Sequence, residues 1–151
     1  KKGYKGIICD IDNTIVPWSE KEIMEEVIEW IQKIKREDFA LCLVSNGMDK
    51  RVNYFSQELS IPAVGQAVKP RKKSYKRALN ILGLKSEITF VIGDQIFTDI
   101  LGGNRLGLTT VLVDPMSSQE FITTKILRML ERVVFTRGEP RKMERGENYD
   151  R

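Results

Sequence analysis

Asp10 and Asp12 stand one residue apart at the end of an apolar run, with Asn13-Thr14 directly after them. A carboxylate is a competent nucleophile that needs no activating base, so Asp10 is suited to attack an electrophile such as phosphorus. Asp12 points the same way from extended backbone; it can protonate a leaving alkoxide and later take a proton from water. Three more groups of this kind follow other apolar runs: Ser45-Asn46-Gly47, Lys69-Pro70, and Gly93-Asp94 with Asp99 beyond. Carboxylates gathered that closely repel one another and resist ionisation unless a cation lies among them. A hard divalent ion with oxygen ligands resolves the conflict, and Mg²⁺ keeps waters that a phosphate can displace. Asp10, Asp12, Asp94 and Asp99 are the candidate metal ligands. Thr14, Lys69, the Ser45 hydroxyl and the amides of Asn46 and Gly47 are candidates to meet the phosphoryl oxygens.

The composition narrows the chemistry from the other side. The 151 residues contain no histidine, which excludes Ser-His-Asp hydrolases, HExxH zinc enzymes and phosphohistidine phosphatases. Neither Cys9 nor Cys42 is followed by an arginine six places on, as a cysteine phosphatase requires; those positions hold Ile15 and Met48. No GxxxxGK[ST] loop is present. Both cysteines sit in apolar runs and read as buried free thiols, which suits a reducing, cytoplasmic setting. No apolar stretch approaches the ~18 residues of a membrane span. The net charge of +4 is local in origin. Residues 69–77 hold six basic side chains and no acidic one, whereas the body of the chain is mildly acidic. That is not the pattern of a general nucleic-acid binder.

These groups need elements that bring them together. Continuous apolar runs at Gly6–Ile11, Phe39–Val44, Ile88–Ile92 and Thr109–Val113, with a weaker one at Ala63–Val68, predict strands buried on both faces. Between them, Ile23, Val27, Ile31 and Ile34 form one helical stripe and Val52, Phe55 and Leu59 another. Leu79 with Leu82 continues the pattern, as do Ile122, Ile126, Met129 and Val133 in a helix expected over 119–134. Ser19 and Glu22 match a capping box that would start the first helix just after Pro17. Strand–helix alternation predicts an α/β, Rossmann-like three-layer sandwich around an open parallel sheet. Its ligand crevice lies at the carboxyl ends of the strands, where every candidate residue falls. The domain is expected to cover residues 1–136, and the charged stretch 137–151 to be a mobile tail. The first strand begins only a few residues in, without a Met before it, so a further upstream segment is expected.

Asp10-x-Asp12-x-Thr14, Ser45, Lys69 and Gly93-Asp94-x4-Asp99 resemble the four motifs of the haloacid-dehalogenase (HAD) superfamily, in order. The resemblance implies a five-stranded parallel sheet in the order 5-4-1-2-3. It also implies Mg²⁺ held by Asp10, by the backbone carbonyl of Asp12 and by an aspartate of the last motif. An aspartate two places after the nucleophile is what the phosphatases and phosphomutases of that superfamily share. More narrowly, CDIDNTIVPW, VSNGMDKRV, AVKPRKKSYKRAL and GDQIFTDILGGNRLGLTTVLVDP are similar to the YqeG-like phosphatases (subfamily IIIA). That group includes phosphatidylglycerophosphate phosphatases.

The short spacings from Thr14 to Ser45 and from Ser45 to Lys69 leave no room for a cap domain. An open crevice suits a phosphomonoester displayed on something large, and the resemblance favours a lipid, hence a phosphatidylglycerophosphatase of phospholipid biosynthesis. A phosphoprotein or a nucleic-acid end is the alternative. A phospho-signalling receiver is disfavoured, because no acidic residue ends the second or third strand. Arg71, Lys72, Lys73, Lys76 and Arg77 beside Lys69 form either a solvated helix face or a contact for anionic substrate or membrane at the inner face.

Overall fold

The computed structural model describes residues 3–117. The chain alternates strand and helix: β1 (Gly6–Cys9), α1 (Glu25–Arg36), β2 (Ala40–Val44), α2 (Asp49–Leu59), β3 (Ala63–Val64), α3 (Lys72–Leu82), β4 (Thr89–Gly93), α4 (Leu101–Asn104) and β5 (Thr109–Leu112). The strands form one sheet in the order β3-β2-β1-β4-β5, and every pairing is parallel. That is the expected 5-4-1-2-3 order read from the other edge, and among the described residues no cap domain interrupts it.

Each face of the sheet buries a separate apolar cluster, which is why the sequences of the central strands β1 and β2 are continuous rather than alternating. The edge strand β5, expected to be buried on both faces, instead exposes Val111 and Leu112. Ile7 and Cys9 of β1 and Leu41 and Leu43 of β2 pack with Ile31 of α1 and with Val52, Phe55 and Leu59 of α2. Ile8, Cys42, Val44 and Val91 point the other way, onto Tyr75 and Ala78 of α3 and Leu108. Both cysteines are buried and free. Burial pushes the Cys42 thiol up to about 12, so neither packing nor reactivity marks it as more than a small apolar group.

Three further expectations are corrected. The capping box at Ser19 and Glu22 is not used: α1 begins at Glu25, and Met24 at its N-cap makes no side-chain cap bond. The cause is tertiary, because the Arg51 guanidinium donates to the carbonyls of Pro17 (3.2 Å) and Glu20 (2.6 Å). The segment is thereby held as a loop. β1 ends at Cys9 rather than Ile11, since the amides of Thr14, Ile15 and Val16 all turn back onto the Ile11 carbonyl. β3 is shorter than expected because the chain folds over: the amides of Gln66 and Ala67 donate to the carbonyls of Gly47 and Ser45. The expected helix over 119–134 and the boundary at 136/137 lie outside the described residues.

Candidate functional site

The parallel topology puts the ends of β1, β2, β3 and β4 at one edge, and the sequence-predicted residues meet there. Asp10 follows β1 directly, and its amide still donates to the Ile92 carbonyl of β4. Asn13 then takes φ 61°, a left-handed conformation that asparagine tolerates better than most residues. Its side-chain Oδ1 accepts from the Trp18 amide (3.1 Å) and the Ser117 hydroxyl (2.7 Å). This tight turn brings Thr14 back over the carboxylate, where its hydroxyl lies 3.1 Å from Asp10 Oδ2 and 3.4 Å from Asp94 Oδ1.

Lys69 enters from beyond β3. Its backbone is fixed by the amide donating to Asn46 Oδ1 (2.7 Å), and the peptide to Pro70 is cis. Its ammonium, buried with the carboxylates, bonds Asp10 Oδ1 and Asp99 Oδ1, the latter at 2.7 Å. Asp99 sits on a single wide turn of π-helical spacing, Ile96–Ile100, a local form often found at functional sites. Its Oδ2 accepts from the Gln95 amide. Gly93 is required at this crossing, because a Cβ there would stand 2.3 Å from the Asp99 carboxyl carbon.

Asp10, Asp94 and Asp99 are all buried, and each offers an oxygen within 4.8 Å of the others'. Burial pushes the Asp10 carboxyl up to about 7, against the pull of Lys69. It raises Asp99 in the same direction. For Lys69 burial acts to lower the pKa, but the flanking carboxylates of Asp10 and Asp99 outweigh it and hold the ammonium above its ordinary value. The donor set therefore fits Mg²⁺: hard oxygens, no nitrogen or sulfur, and an excess of buried negative charge that one dication with Lys69 would neutralise.

Asp12 is turned elsewhere. Its Oδ1 pairs with Arg51 Nε at 2.8 Å and its Oδ2 accepts from the buried Ser45 hydroxyl at 3.2 Å. Its carboxylate is not part of the group formed by Asp10, Asp94 and Asp99, whose oxygens lie within 4.8 Å of one another. The Gly47 amide, expected to meet a phosphoryl oxygen, donates to Ser45 Oγ at 2.9 Å, and Asn46 braces Lys69. Both residues shape the turn that aims Ser45.

Arg51 is the site-lining residue that sequence reasoning missed. It joins Asp12 to the carbonyls of Pro17 and Glu20, and it lies 4.8 Å over the Phe55 ring. Its only signal in the sequence is a cation two positions into the helix after the Ser45 turn. Tyr75 was also unforeseen: it is buried, its hydroxyl donates to the Thr98 carbonyl beside Asp99, and its ring lies against Gly102. Asn104 and Arg105, by contrast, brace Thr110 and the Pro70 carbonyl at the surface.

An open parallel sheet with buried carboxylates and a lysine at its carboxyl edge is an arrangement suited to phosphoryl-transfer chemistry. A family model described as HAD-hydrolase-like matches residues 66–117. The chain is 40% identical over 136 residues to the probable phosphatase YqeG of Bacillus subtilis, covering 90% of this chain and 79% of that one. It is 29% identical over 140 residues to the chloroplastic/mitochondrial phosphatidylglycerophosphate phosphatase 1 of Arabidopsis thaliana, of which it spans 40%. Among solved structures, the HAD-hydrolase YfnB of Bacillus subtilis bound to magnesium superposes with a TM-score of 0.64 at 14% identity, covering 88% of this chain and 99% of that one. The chain belongs to the HAD-like hydrolases, in the group of the YqeG phosphatase.

Proposed function

We propose that this protein is a Mg²⁺-dependent phosphomonoester hydrolase that works through an aspartyl-phosphate on Asp10, and that its substrate is a phosphatidylglycerophosphate-type lipid. The observation that carries the reaction is the buried set of Asp10, Asp94 and Asp99 with the Lys69 ammonium between two of them. Asp10 attacks phosphorus; the bond to the leaving oxygen breaks as Asp12 delivers its proton there. Water then attacks the same phosphorus, Asp12 takes its proton, and inorganic phosphate leaves with Asp10 regenerated. Lys69 and the Ser45 hydroxyl stand ready to meet charge on the phosphoryl oxygens, and Thr14 holds the Asp10 carboxylate in line. Asp10, the Asp12 backbone carbonyl, Asp94 and Asp99 would hold Mg²⁺, which when bound supplies charge neutralisation for the transferring group.

The lipid reading is supported by the resemblance to the plant enzyme and by the uncapped crevice, which leaves the carboxyl edge open to a phosphate carried on a large object. Purified protein is to be assayed with phosphatidylglycerophosphate in mixed micelles, beside phosphopeptides and 3′-phosphorylated oligonucleotides, with Mg²⁺ and with excess chelator. Release of phosphate from the lipid alone, lost on chelation, is the expected result. Full activity in chelator would remove the metal from the mechanism, and preference for the peptide or the oligonucleotide would remove the lipid.

A further inference from the structure

Two apolar side chains are held out in water on the same edge as the carboxylates. Met48 is 79% exposed and Val68 is 54% exposed, the highest values among the large apolar side chains of the described residues. Met48 directly follows the Ser45–Gly47 turn, and Val68 directly precedes Lys69. The two turns are laced together by the amides of Gln66, Ala67 and Lys69, which donate to Gly47 O, Ser45 O and Asn46 Oδ1. The tips therefore share one surface, beside the crevice at the ends of β2 and β3.

Val68 is the stranger of the two. Its φ is 52°, and for a β-branched residue the left-handed region costs roughly 1–2 kcal/mol. Glycine or asparagine would fill the position without that cost. Burial does not compensate, because the side chain is exposed. The bonds that pin Ala67 and Lys69 hold the turn, but they do not call for an apolar side chain at its exposed tip, and that choice points to something outside the fold that receives it.

Charge identifies the receiver. Val68 shares a groove of about 390 Å³ with Arg71, Lys73 and Arg77. None of these three cations has an ion-pair partner among the described residues. The acid in the groove, Asp49, is engaged by the Gln66 side chain at 2.6 Å, and the chain from 59 to 86 carries no other Asp or Glu. Apolar tips bordered by unpaired cations complement an anionic bilayer, where the tips enter the headgroup layer and the cations meet lipid phosphates. A nucleic acid would use the cations but gain little from Met48 and Val68.

We propose that Met48, Val68 and the groove of Arg71, Lys73 and Arg77 form a docking rim that seats the crevice on an anionic phospholipid surface. The proposal deepens the lipid reading and draws its purpose from it, but its test does not depend on catalysis. The full chain is floated with phosphatidylcholine vesicles with and without phosphatidylglycerol, at low and high salt. The parent chain should float with the anionic vesicles only. Met48→Ser/Val68→Asn should lower partitioning at least about tenfold. Lys73→Glu/Arg77→Glu should do so at low salt, with the difference shrinking as salt rises. Both variants should hydrolyse a soluble aryl phosphate within about twofold of the parent, which shows the site intact. A parent chain that does not float, or a Met48→Ser/Val68→Asn chain that floats as the parent does, overturns the rim. Cleavage of a short-chain, monomeric phosphatidylglycerophosphate tests the substrate separately. Floating without that cleavage sinks the substrate reading alone, and cleavage without floating sinks the rim alone.

Discussion

The two aspartates of the first motif have different surroundings, and the nucleophile and acid–base roles proposed for them follow that difference. Asp10 is buried against Lys69 and Thr14, whereas Asp12 is half-buried and held by Arg51 and Ser45. Asp10→Asn should abolish turnover and phosphoenzyme formation while circular dichroism stays unchanged, because the nucleophile alone is lost. Asp12→Asn should lower kcat/KM by about 10²- to 10⁴-fold for phosphates with poor leaving groups and far less for a dinitrophenyl phosphate, whose phenolate departs unprotonated. Equal losses across a leaving-group series would remove Asp12 as the acid. Arg51→Ala should reproduce that leaving-group dependence in weaker form, since Asp12 loses the partner that aims it. Arg51→Lys should restore part of it, because lysine supplies the charge without the fork that also holds Pro17 and Glu20. Losses in Arg51→Ala that ignore the leaving group would reduce Arg51 to a brace for the loop.

The turns after the strands, more than the strands themselves, set how close the groups stand. The end of β4 must pass within contact of Asp99, and only glycine at 93 allows it. Gly93→Ala should therefore push Asp99 off both Lys69 and the metal position. Mg²⁺ affinity, read by the half-saturating concentration in the aryl phosphate assay, should fall by tenfold or more, as a rough estimate for a disturbed ligand. Gly102→Ala meets the buried Tyr75 ring instead, at 2.4 Å. Its cost should appear as about 1–3 kcal/mol of stability in denaturant titration. If the two variants lost metal affinity equally, the close packing of Gly93 on Asp99 would not be what places that ligand.

At the scale of the whole molecule, the buried carboxylates link stability to pH and to metal. Asp10 has a folded-state value raised from 3.8 to about 7, and Asp99 is raised as well. A carboxyl raised on folding binds its proton more tightly in the folded chain. Its stabilising contribution is complete below the unfolded value near 3.8 and is lost as pH rises through about 7. In chelator the protein should therefore melt lower at pH 8 than at pH 6. Mg²⁺ competes with those same protons, so the rise in Tm on adding it should be larger at pH 8 than at pH 6. A Mg²⁺ effect on melting that is independent of pH would mean that the ion binds away from these groups.

The sequence was sufficient for the parallel α/β class, the placement of every candidate residue at the strand ends, and the buried cysteines, because each follows from local periodicity and chain order. Continuous apolar runs report burial on both faces for the central strands β1 and β2 but not for the edge strand β5, which has a neighbour on one side only. Parallel crossovers force the turns after the strands to one edge. What periodicity cannot carry is how far each turn folds back. The capping box at Ser19 and Glu22 satisfies every local rule, yet Arg51, more than two dozen residues later, takes the carbonyls of Pro17 and Glu20 and delays α1 to Glu25. Ser45 is aimed at Asp12 because the Gly47 amide holds its oxygen. Val68 lies exposed in a left-handed turn because Ser45 and Asn46 pin its two neighbours. These contacts join residues distant in sequence through hydrogen bonds, which have directions and lengths but no period, so only the tertiary structure decided them.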